Sequence, residues 1–326
     1  MSYPGWSEAV SPFHPGELAI QERLGVRERM DAQGRRVIRT YLTEQHRQFY
    51  PQLPFLVVGS VSPTGQIWAS LLTGVPGFIS SPDAHTLRVE ATPPVGDPLA
   101  QILAEGLPLG LLGIELHTRR RNRLNGTVTA LDSRGFTLSV GQSFGNCPMF
   151  IQARQFALTE AVHTPGLPRP IHPLTALTPA ERALIAGADT LFIASTYLEA
   201  GAGGGRGADV SHRGGKPGFV HIADDRTLVL PDFNGNHHFN TVGNLLLNPR
   251  AGLLFVDFAR GDLLYLSGKA EVIWDAAAVS AYAGAERLIR FALESGVRVS
   301  GSLPLRWSAP QPSPFLESTG SWESSR

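Results

Sequence analysis

Cysteine is nearly absent: Cys147 is the single thiol in 326 residues. No disulfide can form within the chain, and there is no cysteine cluster to hold an iron–sulfur centre. Net charge is missing too, with Lys+Arg and Asp+Glu both at 28. A neutral chain carries no general field for nucleic acid or for an anionic membrane. No apolar run approaches the roughly 20 residues that a bilayer span needs. The start, MSYPGWSEAVSPFHPGE, lacks the basic-then-apolar order of a secretion signal. These gaps favour a reducing compartment, the cytoplasm, and leave neither nucleic acid nor membrane as an expected partner.

What the chain does have is apolar residues and turns. Hydrophobic residues make up 42%, enough for a sizeable core, and the length suits two domains of roughly 150 residues. Gly 35 and Pro 25 suit many turns between short strands. Residues 1–50 read as a helical arm, with Glu17–Leu24 and Glu28–Tyr50 the charged, intermittently apolar parts. Residues 51–154 read as a β-rich unit. It has strands at Pro54–Val61, Trp68–Leu72, Leu109–Leu116 and Leu124–Leu131, a hairpin turn at Ser62-Pro63-Thr64-Gly65, and a helix start at Asp97-Pro98. Proline-rich residues 155–177 read as a linker. Residues 178–275 open with a capping box, Thr178-Pro179-Ala180-Glu181, before a strand at Asp189–Thr196. Residues 276–326 read as a helix over Ala278–Glu294 and then a Ser/Pro-rich, partly ordered tail.

An internal repeat sets the architecture. Pro76-Gly77-Phe78 recurs as Pro217-Gly218-Phe219, and Thr86-Leu87 as Thr227-Leu228, both 141 residues on. Leu111-Leu112-Gly113-Ile114-Glu115 answers Leu253-Leu254-Phe255-Val256-Asp257, and Leu124-Asn125-Gly126 answers Leu266-Ser267-Gly268, both 142 residues on. Ser70 pairs with Ser211 at 141. The chain is therefore two copies of one β-rich unit. The copies differ where polar chemistry gathers: Leu71-Leu72-Thr73-Gly74-Val75 in the first stands as His212-Arg213-Gly214-Gly215-Lys216 in the second. Only the second offers cations there for an anionic ligand.

The second copy carries a resemblance as well. Gly215-Lys216-Pro217 precedes a strand, Gly235-Asn236 ends the next, and a helix closes with Asn248-Pro249-Arg250-Ala251 before Leu253-Leu254-Phe255. This resembles the flavin-binding split-barrel family that includes pyridoxamine 5'-phosphate oxidase. Phe13-His14-Pro15-Gly16-Glu17 and Gly141–Pro148 are similar to its longer, tandem subfamily, in which the module can be fused to reductase and iron–sulfur domains. The resemblance implies a mainly β, α+β protein: two tandem split β-barrels with flanking helices, arranged as an intramolecular pseudo-dimer. It implies FMN as cofactor, an oxidoreductase activity on a small-molecule substrate, and electrons from NAD(P)H or a separate reductase. A homodimer is compatible with it. A non-enzymatic flavin- or haem-binding module is the alternative. Where the oxidase proper carries a Ser-Arg-Lys phosphate grip, this chain reads Phe239-Asn240-Thr241, so a vitamin B6 substrate does not carry over. The expected cofactor-binding residues are Ser211, His212, Arg213, Gly215, Lys216, Asn236, Asn240, Thr241 and Asn244. No residue stands out as an acid–base catalyst.

Other motifs weigh less. Arg119-Arg120-Arg121-Asn122-Arg123 reads equally as an anion patch or a solvated strand edge. Cys147 reads as a packed cysteine and His14 as a surface or capping residue. Asn146 and Ser143 are candidate polar contacts at the junction of the two copies. Adjacent His237 and His238 point to opposite faces of an extended segment, so a metal site is not expected. Gly201–Gly207 leads into a further strand rather than a helix, which argues against a dinucleotide fold and for a mobile hairpin loop.

Overall fold

The computed structural model describes residues 5–164, 166–199 and 207–322. The N-terminal arm forms α1 (Pro15–Arg23), α2 (Arg27–Val37) and α3 (Glu44–Phe49). The first barrel follows as β1 (Phe55–Val61), β2 (Ile67–Thr73), β3 (Ile79–Asp83), β4 (Thr86–Val89), β5 (Pro108–Glu115), β6 (Arg120–Asp132) and β7 (Gly135–Asn146). Two short strands, β8 (Phe156–Leu158) and β9 (Ile171–Leu174), lead to α4 (Pro179–Gly187). The second barrel contains β10 (Thr190–Tyr197), β11 (Gly207–Gly214), β12 (His221–Ile222), β13 (Thr227–Phe233), α5 (Asn240–Leu247), β14 (Arg250–Val256) and β15 (Leu263–Ile273). It is completed by α6 (Ala276–Ser280) and β16 (Ala285–Val299), and β17 (Leu305–Trp307) comes last.

The strand orders carry the repeat into three dimensions. One sheet runs β2-β1-β5-β6-β7-β4-β3 and the other β11-β10-β14-β15-β16-β13-β12, the same order strand for strand. A register shift falls at the same place in each copy, Asn125/Gly126 in β6 and Ser267/Gly268 in β15. The chain is mainly β, a pair of split barrels with few helices.

Each barrel fills its own interior. Leu56, Val58, Leu111, Leu124 and Phe136 pack within the first. Leu191, Ile193, Leu253, Leu266 and Phe291 pack within the second. A third core lies between them, built from Val57, Ile67, Trp68, Leu112, Phe192, Val210, Leu254 and Tyr265. Two glycines show how closely the barrels meet. A Cβ on Gly110 of β5 would stand 2.4 Å from the Ala208 carbonyl oxygen, and one on Gly252 of β14 would stand 2.5 Å from that of Ile67. Gly110 and Gly252 are repeat equivalents, as are Ile67 and Ala208. The contact is therefore the same on both sides of a pseudo-twofold axis, and any side chain would wedge it apart.

Local signals explain the ends of elements. Thr178 and Glu181 form the capping box of α4 with Pro179 in its first turn. Asp97 caps as expected, but only a four-residue 3₁₀ turn, Pro98–Gln101. His14 also caps, at α1, with Glu17 completing the box, yet it is buried rather than superficial.

The structure corrects several expectations. Ala278–Glu294 is not a helix: α6 ends at Ser280, and β16 begins at Ala285. Along β16, Ile289, Phe291 and Leu293 are buried while Arg290, Ala292 and Glu294 are exposed. That period of two, with partners on both sides in β13 and β15, outweighs helix propensity. The stretch 155–177 is not bare linker, since β8 pairs with β17 and β9 with β16. The tail packs rather than dangles: Gln311 pairs with Ala153, and the Trp322 indole donates to the Phe219 carbonyl at 2.7 Å. The glycine tract lies outside the described residues from Gly201 to Arg206, and Gly207 starts β11. No helix among the described residues is long and apolar enough to cross a membrane.

Candidate functional site

A cleft of about 110 Å³ opens where the two barrels meet. The first barrel contributes Arg121 and Arg123 from β6, and Asn146, Cys147 and Phe150 from the end of β7 and just beyond. The second contributes Ser211, His212 and Arg213 from β11, Asp232 and Phe233 from β13, Asn236 and His237 from the next loop, and Arg287 from β16. Asn240 and Thr241, at the start of α5, close one side. The period of two in β6 and β11 explains the pairing: Arg121 and Arg123 share one face, as do Ser211 and Arg213.

Positive charge is in excess here. Arg213 meets Asp232 at 3.1 Å, and Arg287 meets the other oxygen of the same carboxylate at 2.6 Å. Arg123 meets Asp209 at 3.1 Å and also donates to the Ser211 hydroxyl. Arg121 donates to the Cys147 carbonyl at 2.7 Å and has no ion pair among the described residues. Arg287 also meets Glu286 at 2.8 Å, so four guanidiniums face three carboxylates. Burial, then repulsion from Arg123 and Arg213, lowers the Arg121 pKa to about 9. Burial also lowers Arg213, although Asp232 opposes the shift. His212 is driven well below the usual imidazole range by burial and then by Arg121, Arg213 and Arg154. That Arg121, Arg213 and His212 are each lowered in part by neighbouring cations marks a cluster short of negative charge.

It is also short of acceptors. Arg123 Nε, Arg213 Nε, Asn146 Nδ2 and both ring nitrogens of His212 are buried without a protein partner. In the neutral His212 ring one of the two nitrogens donates and the other accepts, and buried polar atoms of this kind are costly unless something fills them. Backbone strain gathers here as well. Phe150, His237 and Phe239 hold φ of 62°, 59° and 62°, in the left-handed region that side chains disfavour. Phe150 and Phe233 pack with ring centroids 4.8 Å apart and form an aromatic wall.

Beneath the cleft lies a buried polar network, in which Asn125 Oδ1, Asn244 Oδ1 and His14 Nε2 have no hydrogen-bond partner. Asp209 accepts from Arg123, from Asn125 at 2.9 Å and from Asn244 at 3.3 Å. Glu17, reaching in from α1, accepts from Asn240 and from the His14 backbone. Burial first, and then the Asp209 charge, raises the Glu17 pKa well above the carboxylate range. His14 stacks on Tyr197, and burial lowers its pKa to about 4.

The expected binding residues divide. Ser211, His212, Arg213, Asn236, Asn240 and Thr241 line the cleft. Gly215, Lys216 and Asn244 do not. Gly215 packs under Phe219, and Lys216 donates to the Thr319 carbonyl at 2.5 Å. Asn244 lies in the network below and donates to Ser195 and Asp209. Arg121, Arg123 and Arg287 were absent from the expected set. The first two sat in a noticed arginine run whose alternation pointed two of them to one face. Arg287 carried no signal, because its segment read as helix. Asn146 reaches the cleft, whereas Ser143 is buried away from it and donates to the Tyr41 carbonyl. His238 packs between Phe13 and Phe144, and among the described residues no three ligating side chains converge on a metal position.

Residues 177–302 match the family model described as pyridoxamine 5'-phosphate oxidase. The matched stretch, which holds the second of the two repeat copies, is similar to that family. The matched residues span α4 to β16 and supply the β11, β13 and α5 side of the cleft. Among solved structures, HupZ from Group A Streptococcus is 16% identical, with 36% of this chain and 90% of that one covered at a TM-score of 0.28. A putative pyridoxamine 5'-phosphate oxidase from Lactobacillus delbrueckii is 16% identical, over 38% of this chain and 94% of that one, at 0.29. The FAD binding protein from Mycobacterium smegmatis is 14% identical, over 39% and 99%, at 0.26. No conclusion is drawn from likenesses of this size. Comparison with curated proteins gives no match.

Proposed function

We propose that the cleft between the barrels binds a flavin, FMN, and that the protein is a cytoplasmic flavin-dependent oxidoreductase acting on a small molecule. The observation that carries this reading is the charge count: four guanidiniums against three carboxylates, with Arg121 outside any ion pair among the described residues. The surplus guanidinium, Arg121, suits the oxygens of a phosphate. The orphaned donors of Arg123, Arg213 and His212 suit its oxygens. The likeness of the second barrel to the pyridoxamine 5'-phosphate oxidase family favours a flavin over another phosphate.

Arg121 and Arg213 are the residues that would hold the phosphate. Asn236, Asn240 and Thr241 would present further polar atoms, and Phe150 and Phe233 would offer apolar surface. The cleft's 110 Å³ is below the roughly 300–1,000 Å³ of pockets that take whole ligands. It suits the anionic end of a ligand whose remainder extends outward. The flavin supplies hydride or electron transfer when bound. The chain's own residues bind and orient it, since His212 is too hard to protonate to act as an acid. Electrons would come from NAD(P)H or from a separate reductase.

The test is FMN titration by fluorescence quenching. Each charge-assisted hydrogen bond is worth about 1.5–3 kcal/mol. Arg121→Ala with Arg213→Ala should therefore weaken binding by on the order of a hundredfold or more. Lys216→Ala should leave it unchanged, because that side chain serves the C-terminal tail. Circular dichroism checks folding. Equal affinity in a folded double variant removes the phosphate from this cleft. FMN binding without turnover by NAD(P)H or a reductase favours a non-enzymatic flavin module.

A further inference from the structure

A duplicated fold with a pseudo-twofold axis should place a second cleft opposite the first. Strand register identifies its residues without ambiguity. Arg121 and Arg123 pair with Ile114 and Leu112 across β5–β6, and their counterparts Leu263 and Tyr265 pair with Val256 and Leu254 across β14–β15. Ser211 and Arg213 pair with Ile193 and Leu191 across β10–β11, and their counterparts Ser70 and Leu72 pair with Val58 and Leu56 across β1–β2. Asp209 answers to Trp68 in the same way.

The three cations taken from these strands are thus replaced by Leu263, Tyr265 and Leu72. All three are at most 1% exposed. Leu72 belongs to the first barrel's interior, while Trp68, Leu263 and Tyr265 belong to the core between the barrels. The serine is retained but satisfied internally. Ser70 donates to Asp97 at 2.5 Å, and that carboxylate also accepts from the Leu71 and Leu99 backbones at 3.3 and 2.8 Å. Asp97 caps the short 3₁₀ turn that stands where the second barrel has α5. Asp97 and Tyr265 are both buried near one another: burial first, and then the Asp97 charge, raises the phenol's pKa. At the open cleft Arg123, Arg213 and Asn146 leave buried donors without a protein partner, whereas at its mirror position Ser70 and Asp97 have closed on one another, although the Tyr265 hydroxyl stays enclosed without a hydrogen-bond partner.

We propose that the mirror cleft has been converted into core, so that one tandem chain carries a single ligand site where a symmetric pair of barrels would carry two. Asp97 and Ser70 are the structural remnant of the lost site, and Arg121, Arg123 and Arg213 mark the retained one. The count of one rests on the flavin reading above; the closure of the mirror position does not.

Equilibrium dialysis of the full chain against FMN is expected to saturate at one per chain, and Arg121→Ala with Arg213→Ala to remove that one. Saturation at two, or one site surviving the double variant, overturns the proposal while leaving flavin binding intact. A ligand-free arm separates the two claims. Leu72→Arg restores at the mirror position the cation that Arg213 provides, and Arg213→Leu makes the reverse change. Leu72→Arg is expected to lower the urea midpoint markedly or prevent folding. Arg213→Leu should fold with a midpoint near the parent's, because Arg287 still pairs with Asp232. A Leu72→Arg chain as stable as Arg213→Leu means the mirror position is open, and the proposal fails even if no flavin binds.

Discussion

Arg123→Ala offers the sharpest test of how the site is built into the fold. Arg123 is 3% exposed and Asp209 4% exposed, and their ion pair is 3.1 Å long. Asp209 keeps only Asn125 and Asn244 as donors when the guanidinium goes. Glu17 stands close enough that the Asp209 charge raises its pKa, so the remaining field around Asp209 is unfavourable. Stripping one partner from a buried pair costs about 3–5 kcal/mol. Because Arg123 lines an open cleft, water can enter the gap, which argues for the lower end. Against a total stability of roughly 5–15 kcal/mol that is a large fraction. The assay is urea unfolding followed by circular dichroism, with Asp209→Asn and the double variant completing a cycle. Asp209→Asn should recover part of the loss in the Arg123→Ala background, since it removes the stranded charge. A single variant within about 1 kcal/mol of the parent, the size of an exposed pair, would show that the charge is not buried as described.

Three further outcomes follow from the same geometry. Burial, then Arg39 and Arg120, lowers His46 to about 4 from 6.5. A folded pKa below the unfolded one means that this contribution is intact above pH 6.5 and lost as pH falls toward 4. The stability difference between the parent and His46→Phe should therefore move against the parent across that window by on the order of 3 kcal/mol, and a pH-independent difference refutes the burial. Deleting residues from 309 onward removes the Gln311–Ala153 pairing, the Ser313–Gln152 bond and the buried Leu316, and should cost several degrees in Tm. An unchanged Tm means the tail does not pack. Gly110→Val should prevent the barrels from meeting and give aggregated or unfolded protein, and a soluble variant of parental Tm counts against the close contact with Ala208.

Much of this protein was legible in its residues because the relevant signals are local. Apolar alternation, the Thr178–Glu181 box and the turn residues each depend on a few neighbours in the chain, and the repeat doubles each signal. That was enough to identify two barrels of one design and to single out β11 and the start of α5 as the polar side of the second. What the residues alone could not decide is which groups from distant segments would meet. Arg121 and Arg123 belong to the first barrel yet complete a cleft on the second, because Gly110 and Gly252 let the barrels pack backbone against backbone. Lys216 sits three residues from Arg213 but turns to the C-terminal tail, whose path no local pattern predicts. Arg287 reaches the cleft only because Ala285–Val299 is a strand, held by partners on both sides that outweigh its helical composition. Local pattern determined the barrels, and the packing of one against the other decided where the charge would gather.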